Sequence, residues 1–115
     1  MIIGPDISVY LALGPVDLRG ASDRLAAVTR SVLERDPSGG ALFLFLNRRK
    51  NRLKALWWDR NGYALLYKKL VRGTFFLPQV QDANCVSLEI SVEDFVRLLS
   101  GLPLAGLAKH SPTLH

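Results

Sequence analysis

The stretch that decides the fold covers residues 41–70 and reads ALFLFLNRRKNRLKALWWDRNGYALLYKKL. It begins with a continuous apolar run, Ala41–Leu46, which is typical of a strand that is buried on both faces or lies near the centre of a sheet. A polar tip, Asn47–Asn51, separates this run from a second strand candidate, Arg52–Asp59. Two strands joined by so short a polar segment predict an antiparallel hairpin with a basic end.

The dipeptide Asn61-Gly62 predicts a second hairpin directly after the first. A type I′ turn needs positive φ at both central residues, and Asn-Gly tolerates that conformation. If these two residues form the loop, Arg60 pairs with Tyr63 and the following strand extends over Tyr63–Leu70.

This register sorts the side chains of the second hairpin onto two faces. One face is mostly apolar and is expected to point to the core, with Leu53, Ala55 and Trp57 opposite Leu70, Lys68 and Leu66. The other face mixes cations with aromatic rings and places Lys54 across from Lys69, where like charges are destabilising by roughly a few tenths to ~1 kcal/mol. A bound polyanion would relieve that repulsion.

Outside this stretch, a helix is predicted near each end of the chain. Apolar residues recur at helical spacing over Ala21–Arg35, with Asp17 or Ser22 as the expected cap. Ser91 and Asp94 have capping-box spacing at the start of a short helix that ends at Gly101.

Further strands are predicted at Ile7–Leu13, Thr74–Leu77 and Val86–Ile90. The pattern indicates an α+β fold, with a mainly antiparallel sheet of about five or six strands, one longer helix near the N-terminus and one short helix near the C-terminus. Residues 1–101 are expected to form a single domain, and residues 102–115 a loosely ordered C-terminal tail.

The charge of the chain is concentrated in one segment. Residues 48–72 hold nine of the fifteen Lys and Arg residues and a single acid, Asp59, so this segment carries +8 while the remainder carries −3. Because the local field acts on a polyanion, such a segment favours a surface that faces nucleic acid. The alternative is a solvated Lys/Arg surface that serves solubility.

The candidate nucleic-acid-binding residues fall into two groups. The expected phosphate contacts are Arg48, Arg49, Lys50, Arg52, Lys54, Lys68, Lys69 and Arg72, and the expected stacking residues are Trp58 and Tyr67. A two-stranded ribbon enters the major groove of a duplex, whereas exposed aromatic rings stack on unpaired bases, so both substrates stay open. For each Trp, packing inside the fold is the competing interpretation.

The sequence offers no pattern for catalysis. Both histidines, His110 and His115, lie in the predicted tail, Cys85 is the single cysteine, and no zinc-ligand or nucleotide-loop motif occurs. We therefore expect no catalytic residue, no metal and no cofactor. No apolar stretch approaches the roughly 20 residues of a membrane span, and no secretory signal begins the chain, so a cytoplasmic protein without a membrane partner is expected.

Residues 9–78 resemble the TnpB-type accessory proteins of insertion-sequence-sixty-six family transposons. The matching positions are Tyr10-Leu11, Asp17, Arg19, Asp36-Pro37, Phe43, Phe45, Asn47-Arg48-Arg49, Arg52-Leu53-Lys54, Trp58-Asp59, Gly62, Lys68, Leu70, Arg72-Gly73 and Pro78. The resemblance implies a protein that assists transposition beside a separate catalytic transposase, without enzymatic activity of its own.

Three hypotheses follow for the partner of the basic segment. The first is DNA, in particular transposon ends, bound through the basic hairpin surface. The second is an adaptor that docks on the cognate transposase or another element-encoded protein without binding DNA. The third is a module for single-stranded nucleic acid or RNA.

Overall fold

The computed structural model describes residues 6–106. The elements, in chain order, are β1 (Val9–Ala12), α1 (Ser22–Ser31), β2 (Leu42–Leu46), β3 (Arg52–Asp59), β4 (Gly62–Lys69), β5 (Ser87–Ile90) and α2 (Val92–Leu99). The strands form one sheet in the order β4-β3-β2-β1-β5, in which only β1 and β2 pair in parallel. The predicted α+β class, with five strands and a helix near each end, is confirmed.

The central strand of the sheet is β2, and all five of its residues are buried. Leu44 and its even-numbered neighbours pack with Phe95 and Leu98 of α2 on one face of the sheet. Phe43 and Phe45 pack with α1 on the other face. The apolar run from Ala41 to Leu46 is therefore a strand covered on both sides, as predicted.

The longer helix begins without the expected side-chain cap. Ala21 occupies the cap position and forms no capping side-chain bond, while Asp17 interacts with two arginines instead. The helix also ends earlier than predicted, at Ser31, and Glu34 soon afterwards adopts a positive φ of 54°. None of the helices within residues 6–106 has the length and apolar character that crossing a bilayer requires.

The shorter helix begins as the capping-box spacing predicted. The Ser91 hydroxyl accepts a hydrogen bond of 3.0 Å from the Asp94 backbone N–H, and Gly101 adopts a left-handed φ of 73° just beyond the helix. The Asp94 carboxylate accepts a 2.7 Å bond from the Ala105 N–H, so the first residues of the predicted tail contact α2. Residues 107–115, which include both histidines, lie outside the described residues.

The register of the β3–β4 hairpin differs from the prediction by two residues. Trp58 pairs with Tyr63, so the two loop residues are Arg60 and Asn61 rather than Asn61 and Gly62. Of Arg60, Asn61 and Gly62, only Arg60 has a positive φ, 59°. Because a type I′ turn needs positive φ at both central residues, the turn expected at Asn61-Gly62 does not form. In the observed register Trp58 contacts Tyr63 edge to face at 5.0 Å, a favourable cross-strand aromatic pair.

This shift changes which residues pair across the hairpin. Each side chain stays on the face of the sheet that was predicted for it, because side chains alternate with a period of two and the shift is two residues. Lys54 lies opposite Tyr67, so the predicted pairing of Lys54 with Lys69 is wrong. Lys69 instead faces Arg52, and two like charges still meet at this end of the ladder.

No strand forms at Thr74–Leu77, which corrects the prediction for that segment. The Phe75 N–H donates a single 2.6 Å bond to the Lys50 carbonyl, and the Phe75 ring is buried in the core. The segment is therefore held by the Phe75 ring in the core and by one backbone hydrogen bond to the tip of the β2–β3 hairpin. It does not form the hydrogen-bond ladder of a strand.

Replacing Leu44 with Ala in the central strand should lower the free energy of unfolding by about 2–5 kcal/mol, because the fully buried side chain leaves a cavity between two packed layers. Urea unfolding measures the loss. Val71→Ala is the control, since Val71 is 96% exposed and its truncation should change stability by no more than about 0.5 kcal/mol. Equal losses for the two variants would contradict the central position of β2.

Candidate nucleic-acid interface

The face of the β3–β4 hairpin that points toward α1 is only partly covered. Leu56, Tyr63 and Leu65 pack with the α1 cluster near the closed end of the hairpin. Toward the other end of the same face, Arg52 and Tyr67 are exposed. One face of the hairpin therefore changes along its length from core to solvent-facing basic surface.

The turn between β2 and β3 is closed by hydrogen bonds with one asparagine side chain. The Asn47 side-chain oxygen accepts bonds from the backbone N–H groups of Asn51, at 3.1 Å, and Arg52, at 3.0 Å. Its amide nitrogen donates to the Asn51 side-chain oxygen at 2.7 Å. With its own backbone satisfied in this way, the turn presents Arg48 and Arg49 to solvent.

The connection between β1 and α1 folds back over the hairpin. The Val16 N–H donates to the Leu46 carbonyl at 2.9 Å, and the Lys54 Nζ donates to the carbonyls of Leu18, at 2.6 Å, and Gly20, at 3.0 Å. Gly20 has a φ of 100°, a conformation that side chains disfavour. Lys54 thus fixes this connection against the sheet.

Between this connection and the hairpin lies a groove of about 700 Å³, called here the basic groove. Its lining residues are Pro15, Val16, Asp17, Leu18, Arg19, Gly20, Asn47, Arg48, Arg49, Arg52, Lys54, Leu65 and Tyr67. Five of these are cations and one is an acid, so the lining carries a formal charge of +4.

The single carboxylate of the groove is neutralised by its neighbours. Asp17 forms ion pairs with Arg19 at 2.8 Å and with Arg24 at 3.5 Å. Hydrogen bonds from the Arg19 side chain, and then from its backbone N–H, hold the pKa of Asp17 well below its usual range. The carboxylate stays ionised and paired, which limits its repulsion of an incoming anion.

The structure brings five of the ten predicted site residues into the groove, namely Arg48, Arg49, Arg52, Lys54 and Tyr67. Lys69 lies next to them across the ladder from Arg52, and Lys50 and Arg72 are exposed near the same end of the sheet. Among these residues Lys54 already binds two carbonyls, so its charge contributes to the field of the groove while its ammonium group serves the fold.

Two predicted site residues lie elsewhere. Lys68 is on the opposite face of the sheet, where its Nζ donates to the Leu99 carbonyl at the end of α2. Trp58 lies at the closed end of the hairpin, half-buried, and its indole N–H donates to the Arg60 carbonyl at 3.2 Å. Trp58 lies six positions along the extended strand from Arg52, a distance of roughly 20 Å.

Asp17 and Arg19 belong to the groove although the charge pattern of residues 48–72 did not point to them. Both are among the positions that carry the family resemblance, and that resemblance is the sequence signal that could have pointed to them. Their place in the groove depends on the fold of residues 14–20, which no local pattern predicts. Within residues 6–106, no three His, Cys, Asp or Glu side chains gather where they would hold a metal ion.

Comparison with known proteins shows what this chain is similar to. The family model described as IS66 Orf2 like protein matches residues 7–109. A Sinorhizobium fredii (strain NBRC 101917 / NGR234) protein, named uncharacterized protein y4jC, is 37% identical over 103 residues, which cover 88% of this chain and 86% of that protein. A second protein of the same strain, uncharacterized protein y4hO, is 34% identical over 99 residues, or 86% of this chain and 84% of that protein. No solved structure matches the chain at a significant level.

Replacing Asp17 with Asn should make the stability of the protein less dependent on pH in the acid range. The folded-state pKa of Asp17 is depressed, so its stabilisation is complete above the unfolded pKa of about 3.9 and is lost as the pH falls through the folded value. Wild-type protein should therefore exceed Asp17→Asn in urea midpoint at pH 7, and the difference should shrink below about pH 4. Asp59→Asn controls for the loss of one exposed negative charge, and a difference that does not vary with pH would refute this role.

Replacing Lys54 with Met should lower the free energy of unfolding by about 1.5–3 kcal/mol, because two carbonyls of residues 14–20 lose a charged donor. Lys69→Met removes the same charge from an exposed position of the neighbouring strand and should change stability by at most about 0.5 kcal/mol. Urea titrations measure the free energy of unfolding of both variants. A loss of at most about 0.5 kcal/mol in each would show that Lys54 does not hold the connection against the sheet.

Proposed function

The chain belongs to the IS66 Orf2-like family, an accessory family of insertion-sequence transposition, and on that premise we propose that it binds transposon DNA through the basic groove. The role is binding, since the groove is lined by cations and apolar side chains and its one carboxylate is paired with arginine. Strand cleavage and joining are assigned to the separate transposase.

The observation that carries the proposal is the convergence of free arginines on one concave surface. Within residues 6–106, the side chains of Arg48, Arg49 and Arg52 form no hydrogen bond or ion pair with the protein, and all three are exposed at the groove. A guanidinium group binds phosphate oxygens through two parallel hydrogen bonds, which suits arginine to a DNA backbone. Such a cluster repels itself unless an anion is bound, so a polyanion stabilises it.

An acidic surface on the transposase would meet the same cations, which is the adaptor alternative. The two roles differ in what the isolated protein does with DNA. A DNA-binding protein shifts a DNA probe on its own with strong salt dependence, whereas an adaptor copurifies with the transposase after nuclease treatment and shifts no probe.

Replacing two groove arginines should flatten the salt dependence of DNA binding. Each phosphate contact contributes about 0.9 to the slope of log affinity against log salt on duplex and about 0.7 on single strands, so Arg48→Gln combined with Arg52→Gln should reduce the slope by up to about 2. Fluorescence anisotropy over a salt series, with transposon-end duplex and single strand as probes, measures this change.

The matched control is Arg30→Gln combined with Arg60→Gln, which removes the same charge. Both residues are exposed and do not line the groove, and the Arg30 side chain contacts the Tyr63 hydroxyl near the closed end of the hairpin. This variant should keep the wild-type slope. Equal losses in the two double variants would show that net charge alone acts, and the absence of any shift at low salt would overturn the DNA-binding proposal.

A further inference from the structure

The basic groove combines its cations with an apolar lining that a duplex backbone would leave unused. Pro15, Val16 and Leu18 form one side, and Leu65 and Tyr67 lie on the hairpin side. The outer surface of a DNA duplex presents phosphates and sugars, while the flat faces of its bases are stacked inside. Apolar groove walls gain free energy only from a ligand that brings an apolar surface of its own.

Tyr67 provides a ring against which such a surface can lie. Its side chain is 50% exposed on the sheet face that lines the groove, and the Lys54 Nζ lies 5.7 Å from the ring centroid. Proteins that bind single-stranded DNA place a positively charged groove beside aromatic rings in this way, since every base has a flat face that stacks. The exposed ring of Tyr67 and the unpaired arginines lie in one groove and together form that arrangement.

The groove is already formed in the free protein. Lys54 and the Val16 N–H fix the wall that contains residues 14–20, and the Asn47 side chain fixes the turn that presents Arg48. A site that needs no ordering on binding loses less free energy to immobilisation. Its volume of about 700 Å³ lies within the roughly 300–1,000 Å³ typical of sites for small organic ligands, a size class that includes a nucleotide.

We infer that the basic groove accepts an unpaired stretch of DNA, with a base against Tyr67 and the adjoining phosphates on Arg48, Arg49 and Arg52. The inference rests on the proposed function and specifies its substrate class as single-stranded DNA or a single-stranded overhang. Arg19 lies on the opposite wall, so the strand passes between arginines on both sides.

The test uses three DNA probes that share one duplex. The first is blunt, the second carries a short thymidine overhang, and the third carries an overhang of equal length in abasic residues, so that charge is matched and only the bases are missing. By fluorescence anisotropy at moderate salt, the thymidine overhang should bind about tenfold more tightly than the abasic one, the size expected for a single stacked base.

Tyr67→Leu should reduce the preference for the thymidine over the abasic overhang from about tenfold to none. Tyr67→Phe keeps the ring and should retain the preference, which separates loss of stacking from misfolding. Phe76→Leu is the matched control, because Phe76 is also 50% exposed and lies outside the groove. This variant should behave as wild-type.

The outcomes distinguish the two proposals. If wild-type protein binds thymidine and abasic overhangs equally, or if Tyr67→Leu keeps the preference, the single-strand inference is overturned, while steep salt dependence would leave DNA binding by the groove intact. If none of the three probes binds at low salt, both proposals fail and an acidic protein surface becomes the better match for the groove.

Discussion

The complete burial of β2 is the constraint on which the rest of the structure depends. A strand whose five residues are all apolar and inaccessible needs a packed layer on each face of the sheet, and α1 and α2 provide those layers. The packing is less complete at the β4 edge, where residues 66–69 at the end of the strand are exposed. The basic end of the β3–β4 hairpin is therefore left exposed because the cover ends before the strands do.

Some cations of residues 48–72 bind backbone groups of the protein, and others are exposed. Lys54 and Lys68 bind backbone carbonyls on opposite faces of the sheet, one at residues 18–20 and the other at the end of α2. Arg48, Arg49 and Arg52 stay free at the groove. Lys54 thus holds one wall of the groove in place and Lys68 joins β4 to the end of α2, while the arginines, whose planar groups suit phosphate, are exposed at the groove.

Local patterns predicted the buried strand, the polar tip at Asn47–Asn51 and the cap at Ser91, because each depends on residues close in sequence. The hairpin register was wrong by two, because the turn preference of Asn-Gly is local whereas the observed register also depends on cross-strand contacts such as that of Trp58 with Tyr63. The groove itself was beyond prediction, as its second wall forms only when residues 14–20 fold across a strand more than thirty residues away. Half of the candidate residues gathered there nevertheless, because β3 and its preceding turn carry most of them.

The location of bound DNA tests this account most directly. Amide NMR spectra recorded during titration with a short single-stranded oligonucleotide should change at residues 16–20, 47–49, 52, 54, 65 and 67, which line the groove, and stay constant at the hairpin turn near Arg60 and along α2. Changes that are confined to α2 or to the closed end of the hairpin, with none at the groove, would contradict the assignment of the basic groove as the nucleic-acid interface.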